Sequence, residues 1–203
     1  MTKLELKPPP LPKEILIGGV PGSYKTSLAS RLCADLRMPG AGTDELRAVA
    51  RSYDTDPFLS GKTHDRWQLL GDVEAFLLEG FLRQAEAMQP AVRAVRDYHR
   101  RRDENCLIEG VHIVPGLSDP SDGVMLIMAL SSAETQLRRM ISKRRQAPGM
   151  EPWTQSKADQ SMRIQELLLE NAARATGVVV LDADGDLDDC LRQAKEVIGA
   201  ELL

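Results

Sequence analysis

The chain has 203 residues, a formal net charge of −4 and 42% hydrophobic residues. That length supports one α/β domain with a sizeable core, and the acidic balance argues against coating nucleic acid by charge alone. No apolar run reaches the length of a membrane span, the charged and proline-rich residues 1–13 lack a secretory core, and Cys33, Cys106 and Cys190 fall in no paired spacing, so free thiols and a cytoplasmic setting are expected.

Residues 8–12 are proline-rich and predict a stiff, extended leader, which sets 1–13 apart from a domain over 14–203. The apolar run 15–17 predicts a first strand, ended by Gly18 and Gly19. Helical spacing then runs from Lys25 through Leu28, Leu32 and Leu36, and Pro39-Gly40-Ala41-Gly42 breaks it. A short helix is expected over 43–52 and a loop over 53–64. Residues 66–88 carry helical spacing through Leu69, Leu70, Val73, Phe76, Leu77 and Phe81, and another helix is expected over 91–102. Further strands are predicted over 106–108, 124–130 and 178–181, further helices over 132–145, 157–175 and 187–198, and a loop over 146–153. Strands that alternate with helices argue for a parallel sheet covered on both faces. The helical stretch 43–103 reads as a cap over one end of the sheet, and 138–155 as a lid region.

The segment Gly19-Val20-Pro21-Gly22-Ser23-Tyr24-Lys25-Thr26 joins the first strand to the first helix. A phosphate-binding loop needs that order: backbone N–H groups point into a glycine-rich turn and the helix N-terminus adds partial positive charge. Lys25 would reach the β- and γ-phosphates of ATP, Thr26 would hold Mg²⁺, and Gly19, Gly22, Ser23, Tyr24 and Ser27 complete the expected nucleotide contacts. One position departs from the pattern GxxxxGK[ST], because Tyr24 stands where glycine is usual. A side chain forced into the left-handed region costs about 1–2 kcal/mol.

Acceptor chemistry in such a fold sits at the carboxyl ends of neighbouring strands. Asp44 could orient the acceptor hydroxyl, accept its proton or reach Mg²⁺ through water; it could equally be only a helix N-cap. Arg47 and Arg51, one turn apart, could grip an anionic acceptor together or simply be solvated. Glu109 ends a predicted strand, where a carboxylate can anchor the Mg²⁺ hydration shell or position the acceptor. His112 could bond an anion or be a satisfied structural histidine. Arg138, Arg139, Lys143, Arg144 and Arg145 precede the predicted lid loop; Arg144 is the expected cation on the transferring phosphate, against the alternative of charges that merely complement a helix C-terminus. Residues 182–189 are acid-rich, but an EF-hand would need glycine where Leu187 stands, so a turn and a helix N-cap are expected.

Three blocks resemble the 2-phosphoglycerate kinases, a P-loop kinase family: Ile15-Leu16-Ile17-Gly18-Gly19 with the loop through Thr26, Thr43-Asp44-Glu45-Leu46-Arg47, and Ile108-Glu109-Gly110-Val111-His112-Ile113-Val114-Pro115-Gly116. The last is the most specific. The resemblance implies a P-loop kinase fold with a helical acceptor-binding cap, and ATP- and Mg²⁺-dependent phosphorylation of 2-phosphoglycerate to 2,3-bisphosphoglycerate. It implies that Lys25 and Thr26 bind ATP and Mg²⁺, that Asp44 acts at the acceptor, and that Glu109 and His112 line the same cleft. Residues 58–65 and the lid segment diverge from that family. Two other readings stand beside this one: the same kinase chemistry on another small metabolite or a nucleotide, and a nucleotide-binding regulatory protein without catalysis.

Overall fold

The computed structural model describes residues 12–145 and 153–199; the expected leader up to residue 11 and the lid-loop residues 146–152 lie outside the described residues. Five strands form one sheet: β1 (Glu14–Gly19), β2 (Gly40–Gly42), β3 (Cys106–Glu109), β4 (Gly123–Ala129) and β5 (Val178–Asp182). Their order is β2-β3-β1-β4-β5, and every neighbouring pair is parallel. Six helices accompany them among the described residues: α1 (Lys25–Leu36), α2 (Thr43–Ala50), α3 (Val73–Arg101), α4 (Ala133–Arg145), α5 (Gln155–Ala172) and α6 (Leu187–Ile198). Helix α1 packs with α6, and α3 packs with α5, so the sheet is covered on both faces as its apolar strands require. All six residues of β1 are buried, and its Ile15, Leu16 and Ile17 sit at the centre of the main core with Ile108 and Ile127.

The chain runs from central β1 out to edge strand β2, returns to β3, and then crosses to β4 on the other side of β1. The carboxyl end of β1 therefore lies at a point where connections leave in opposite directions, the place where open α/β sheets bind ligands.

Three local expectations changed. Residues 40–42 form the edge strand β2 rather than a break; Gly40 pairs with Leu107 and Gly42 with Glu109. A Cβ on Gly40 would stand 2.6 Å from Cys33 Sγ, so glycine lets this edge lie against α1. The two predicted helices over 66–88 and 91–102 are one helix, α3, that continues through Pro90. Proline cannot donate its backbone bond there; the Gln89 side-chain amide donates into the same turn at Ala85 O, 3.1 Å, and across to Ser118 Oγ, 3.0 Å. Buried Ala85, Met88 and Val92 hold the turn from the core side. Upstream, the expected loop contains a 3₁₀ turn at Pro57–Leu59, and Thr63–Leu69 is also 3₁₀ rather than the start of an α-helix.

At the amino end of the sheet, the Glu14 carboxylate accepts from Arg96 at 2.8 Å, Arg100 at 3.2 Å and the Ser121 N–H at 3.2 Å. Glu14 and Arg96 are both buried. The three cysteines are free thiols, and no helix among the described residues is long and apolar enough to cross a membrane.

Candidate functional site

The loop between β1 and α1 closes on one carbonyl. Val20 O accepts from Ser23 Oγ at 2.8 Å and from the Lys25 ammonium at 3.2 Å. Gly19 has φ 142, and a Cβ there would lie 2.8 Å from Met128 O on β4, so only glycine fits. Tyr24 is the N-cap of α1, with φ 63 and ψ 3, and so takes the left-handed conformation that its place in the motif demands. Leu28, Ala29 and Leu32 bury the inner face of α1 and aim its N-terminus, with Thr26 and Ser27 exposed, at the mouth of the loop.

Thr26 Oγ1 donates to Glu109 Oε1 at 3.0 Å, which brings the end of β3 to the start of α1. Burial pushes the Glu109 carboxyl above its ordinary range; Lys25 and the Thr26 hydrogen bond oppose that rise. Burial lowers the Lys25 pKa, opposed by the charges of Glu109 and Asp44. The Lys143 charge on α4 also reaches both Lys25 and Glu109. A hydroxyl beside a carboxylate is a hard, all-oxygen donor pair that suits Mg²⁺. No group of three or more His, Cys, Asp or Glu among the described residues could hold a metal. The pair therefore fits an ion that takes its other ligands from phosphate and water.

Asp44 lies in the first turn of α2, exposed and 3.2 Å from Arg47 Nη2. Its helix starts from Gly42, which is in register with Glu109, so the β2–α2 corner faces the same end of the sheet as the phosphate loop. Arg47 also donates to Gly61 O. Arg51 ends α2 and is exposed. A second cation, Arg66, lies within reach of the Arg47 charge; it is buried, donates to Lys62 O and Pro57 O, and has its pKa lowered first by burial and also by Arg47. Arg66 had no sequence signal, because it reaches Arg47 only through the Gly61 loop.

His112 is completely buried rather than open to the cleft. Its Nε2 faces Gln84 Oε1 at 3.0 Å and Thr63 Oγ1 at 3.3 Å, and its Nδ1 faces Thr43 Oγ1 at 2.9 Å. Gln84 donates its amide to Phe58 O, which fixes its oxygen toward the ring; Nε2 therefore carries the proton and Nδ1 accepts from Thr43. No ring nitrogen is left for an anion. Of the two sequence readings of His112, the geometry matches the satisfied structural histidine, a post that joins α2, the Thr63–Leu69 turn and α3 to the segment after β3.

Burial pushes the His112 pKa down to about 3 from 6.5. As pH falls, the unfolded chain takes up this proton first, so the stability it supports is complete above the unfolded value and falls at about 1.4 kcal/mol per pH unit toward the folded one. Urea unfolding near pH 7 and near pH 5 is expected to differ by about 2 kcal/mol, and His112→Asn, from a lower baseline, is expected to lack that slope. An equal pH slope in the variant would contradict the assignment.

Helix α4 lies along the outside of the phosphate loop. Gln136 Nε2 donates to Pro21 O at 2.8 Å, and Arg139 Nη1 donates to Gly22 O at 3.3 Å. The Arg139 guanidinium also donates to Ala183 O, Asp184 O and Gly185 O and stacks 4.2 Å above the Tyr24 ring. Its fork is committed, so it is not the free cation expected in a lid. Arg138 is exposed beside Leu137 and Ile141. The side chains of Arg144 and Arg145 lie outside the described residues. The acidic stretch behaves as expected: Asp186 caps α6 by accepting from the Asp189 N–H.

No family model matches the chain. Its fold matches that of shikimate kinase from Bacteroides thetaiotaomicron with a TM-score of 0.58 at 17% identity, covering 91% of this chain and 97% of that one. It also matches a gluconokinase from Sinorhizobium meliloti 1021 with a TM-score of 0.56 at 16% identity, covering 94% and 93%. With the strand order and loop described above, this is a P-loop kinase fold. In sequence the chain is similar to curated 2-phosphoglycerate kinases, at 29% identity over 175 residues in Thermococcus kodakarensis, 31% over 170 in Pyrococcus furiosus and 26% over 210 in Pyrococcus horikoshii. These alignments cover 83%, 80% and 95% of this chain but 60%, 56% and 70% of those relatives, so the chain spans little more than half the length of the first two.

Proposed function

We propose that the protein is an ATP-dependent kinase for a small anionic hydroxylated metabolite, with 2-phosphoglycerate as acceptor and 2,3-bisphosphoglycerate as product. The observation that carries this reading is the convergence of Lys25, Thr26 and Glu109 where β1 and β3 end, with the Asp44 corner beside them. In the reaction the acceptor hydroxyl oxygen forms a bond to the γ-phosphorus and the bond to the ADP oxygen breaks. Asp44 receives the hydroxyl proton, and Lys25 with the loop amides stabilises the charge that develops on the phosphoryl oxygens. Mg²⁺, held by Thr26 and Glu109 with the nucleotide phosphates, would neutralise further charge on those phosphates. Arg47 is the cation for the acceptor's anionic group, with Arg51 at the edge of the same helix. Segment 43–103 serves as the acceptor cap and 138–155 as the lid, with Lys143 or Arg144 supplying its cation. Similarity to proteins named 2-phosphoglycerate kinase supports the acceptor. The three free thiols support a cytoplasmic setting.

The direct test incubates the protein with Mg·ATP and 2-phosphoglycerate and follows ADP and a bisphosphorylated product. Product formation is expected. ADP release only with another small hydroxylated acid or a nucleotide would move the acceptor and keep the kinase. Tight Mg·ATP binding with no turnover across a broad acceptor panel would favour a regulatory nucleotide-binding protein. No nucleotide binding at all would overturn both.

A further inference from the structure

We infer that Arg139, seated on the Tyr24 ring, is a positioning residue that holds the phosphate loop in its nucleotide-accepting shape; this deepens the nucleotide reading above and rests on it. In a trans peptide the carbonyl and the following N–H point in opposite directions. Helix α4 draws two successive loop carbonyls outward, Pro21 O to Gln136 Nε2 at 2.8 Å and Gly22 O to Arg139 Nη1 at 3.3 Å. The N–H groups of Gly22 and Ser23 are thereby turned to the inner side, and that of Ser23 points across the loop at Val20 O, 3.4 Å away. The contact is direct: a Cβ on Gly22 would meet Gln136 Cγ at 3.4 Å and Met140 Cγ at 3.5 Å.

The next residue needs this support. Tyr24 has φ 63, a conformation that a residue with a side chain adopts at a cost and glycine does not. Its ring packs against the core on one side and under the Arg139 guanidinium, at 4.2 Å, on another. Arg139 is itself fixed by Ala183 O, Asp184 O and Gly185 O, carbonyls of the turn between β5 and α6. The stack therefore ties the strained loop position to the turn that follows β5. Tyrosine at this position is held in place from outside, where glycine would need no such partner.

The test is a double-mutant cycle on the affinity for Mg²⁺ with a non-hydrolysable ATP analogue, by calorimetry, using Arg139→Ala, Tyr24→Gly and both together. Arg139→Ala is expected to weaken binding about tenfold with Tyr24 present but only about twofold with glycine there, while the KM for the acceptor stays unchanged. Arg139→Lys, which keeps the charge and loses the planar fork, is expected to follow Arg139→Ala and serves in its place if that variant fails to fold. An equal loss in both backgrounds, or wild-type affinity in the arginine variants, would overturn the positioning role alone. A wild-type protein that binds no analogue would overturn the nucleotide reading itself.

Discussion

Lys25→Ala is expected to lower phosphoryl transfer about 10³-fold while the protein stays folded. The ammonium stands inside the loop that would hold the phosphates, 3.2 Å from Val20 O, and feels the charges of the Glu109 and Asp44 carboxylates. Among the described residues no other cation sits inside the loop. Arg139 is committed to four carbonyls, and Lys143 is exposed on the last turn of α4. A preorganised positive charge in a poorly solvated site acts on the charge that develops during transfer, which is why its loss falls on turnover. Stability changes little, because removing a desolvated ammonium also removes an unfavourable burial. The check is ADP formation with Mg·ATP and 2-phosphoglycerate together with a thermal melt of the variant. Normal turnover by a folded Lys25→Ala protein would eliminate the proposed mechanism.

Glu14→Ala is expected to cost about 3–5 kcal/mol of folding stability, since it leaves the buried Arg96 guanidinium without its carboxylate. Burial pushes the Glu14 carboxyl up, yet the Arg96 hydrogen bond and charge, with help from the Ser121 N–H and Arg100, leave it below its ordinary 4.5. A depressed carboxylate supports folding fully above its unfolded pKa and loses that support as pH falls below it, so wild type is expected to lose stability below about pH 4.5 along a limb that the variant lacks. His112 also acts in this window, since its folded pKa is about 3, so its slope is read between pH 7 and pH 5 and the Glu14 limb is read from the difference between wild type and variant below about pH 4.5. Urea midpoints measure both. Replacing Glu14 and Arg96 together by apolar residues is expected to recover much of the loss, because no unpaired buried charge then remains. Kinase activity at a temperature where Glu14→Ala is folded should match wild type, as Glu14 begins β1 and the phosphate loop follows its other end.

What could be read from the sequence was dense and local. The apolar run 15–17, the turn after it and the helical spacing from Lys25 each carry their own signal, and together they located the phosphate loop. Glu109 was legible because a strand ends on it beside a glycine. Strand β2 was not, because Gly-Ala-Gly offers no side chain from which to read a sheet; only its fit against Cys33 and its register with β3 make it a strand. Pro90 gave no warning that α3 runs on through it, since what holds that turn is the burial of Ala85, Met88 and Val92 and the tie from Gln89 to the distant Ser118. The surroundings of His112 were hidden for the same reason: Thr43, Thr63 and Gln84 meet only when the cap folds over the sheet. Tyr24 was visible as a departure, whereas its partner Arg139 read only as one more cation on a basic helix.

Helix α3, 29 residues long, would extend about 43 Å at the usual rise. Gln84, in its first half, is fastened to His112 beyond the carboxyl end of β3, and Arg96, near its end, is fastened to Glu14 at the opposite end of the sheet. A rod pinned at two distant points resists opening at either one alone. Amide hydrogens along α3 should therefore exchange with solvent as one slow cohort, with a free energy close to that of global unfolding, while those of α2, which buries only Thr43, exchange by local fraying.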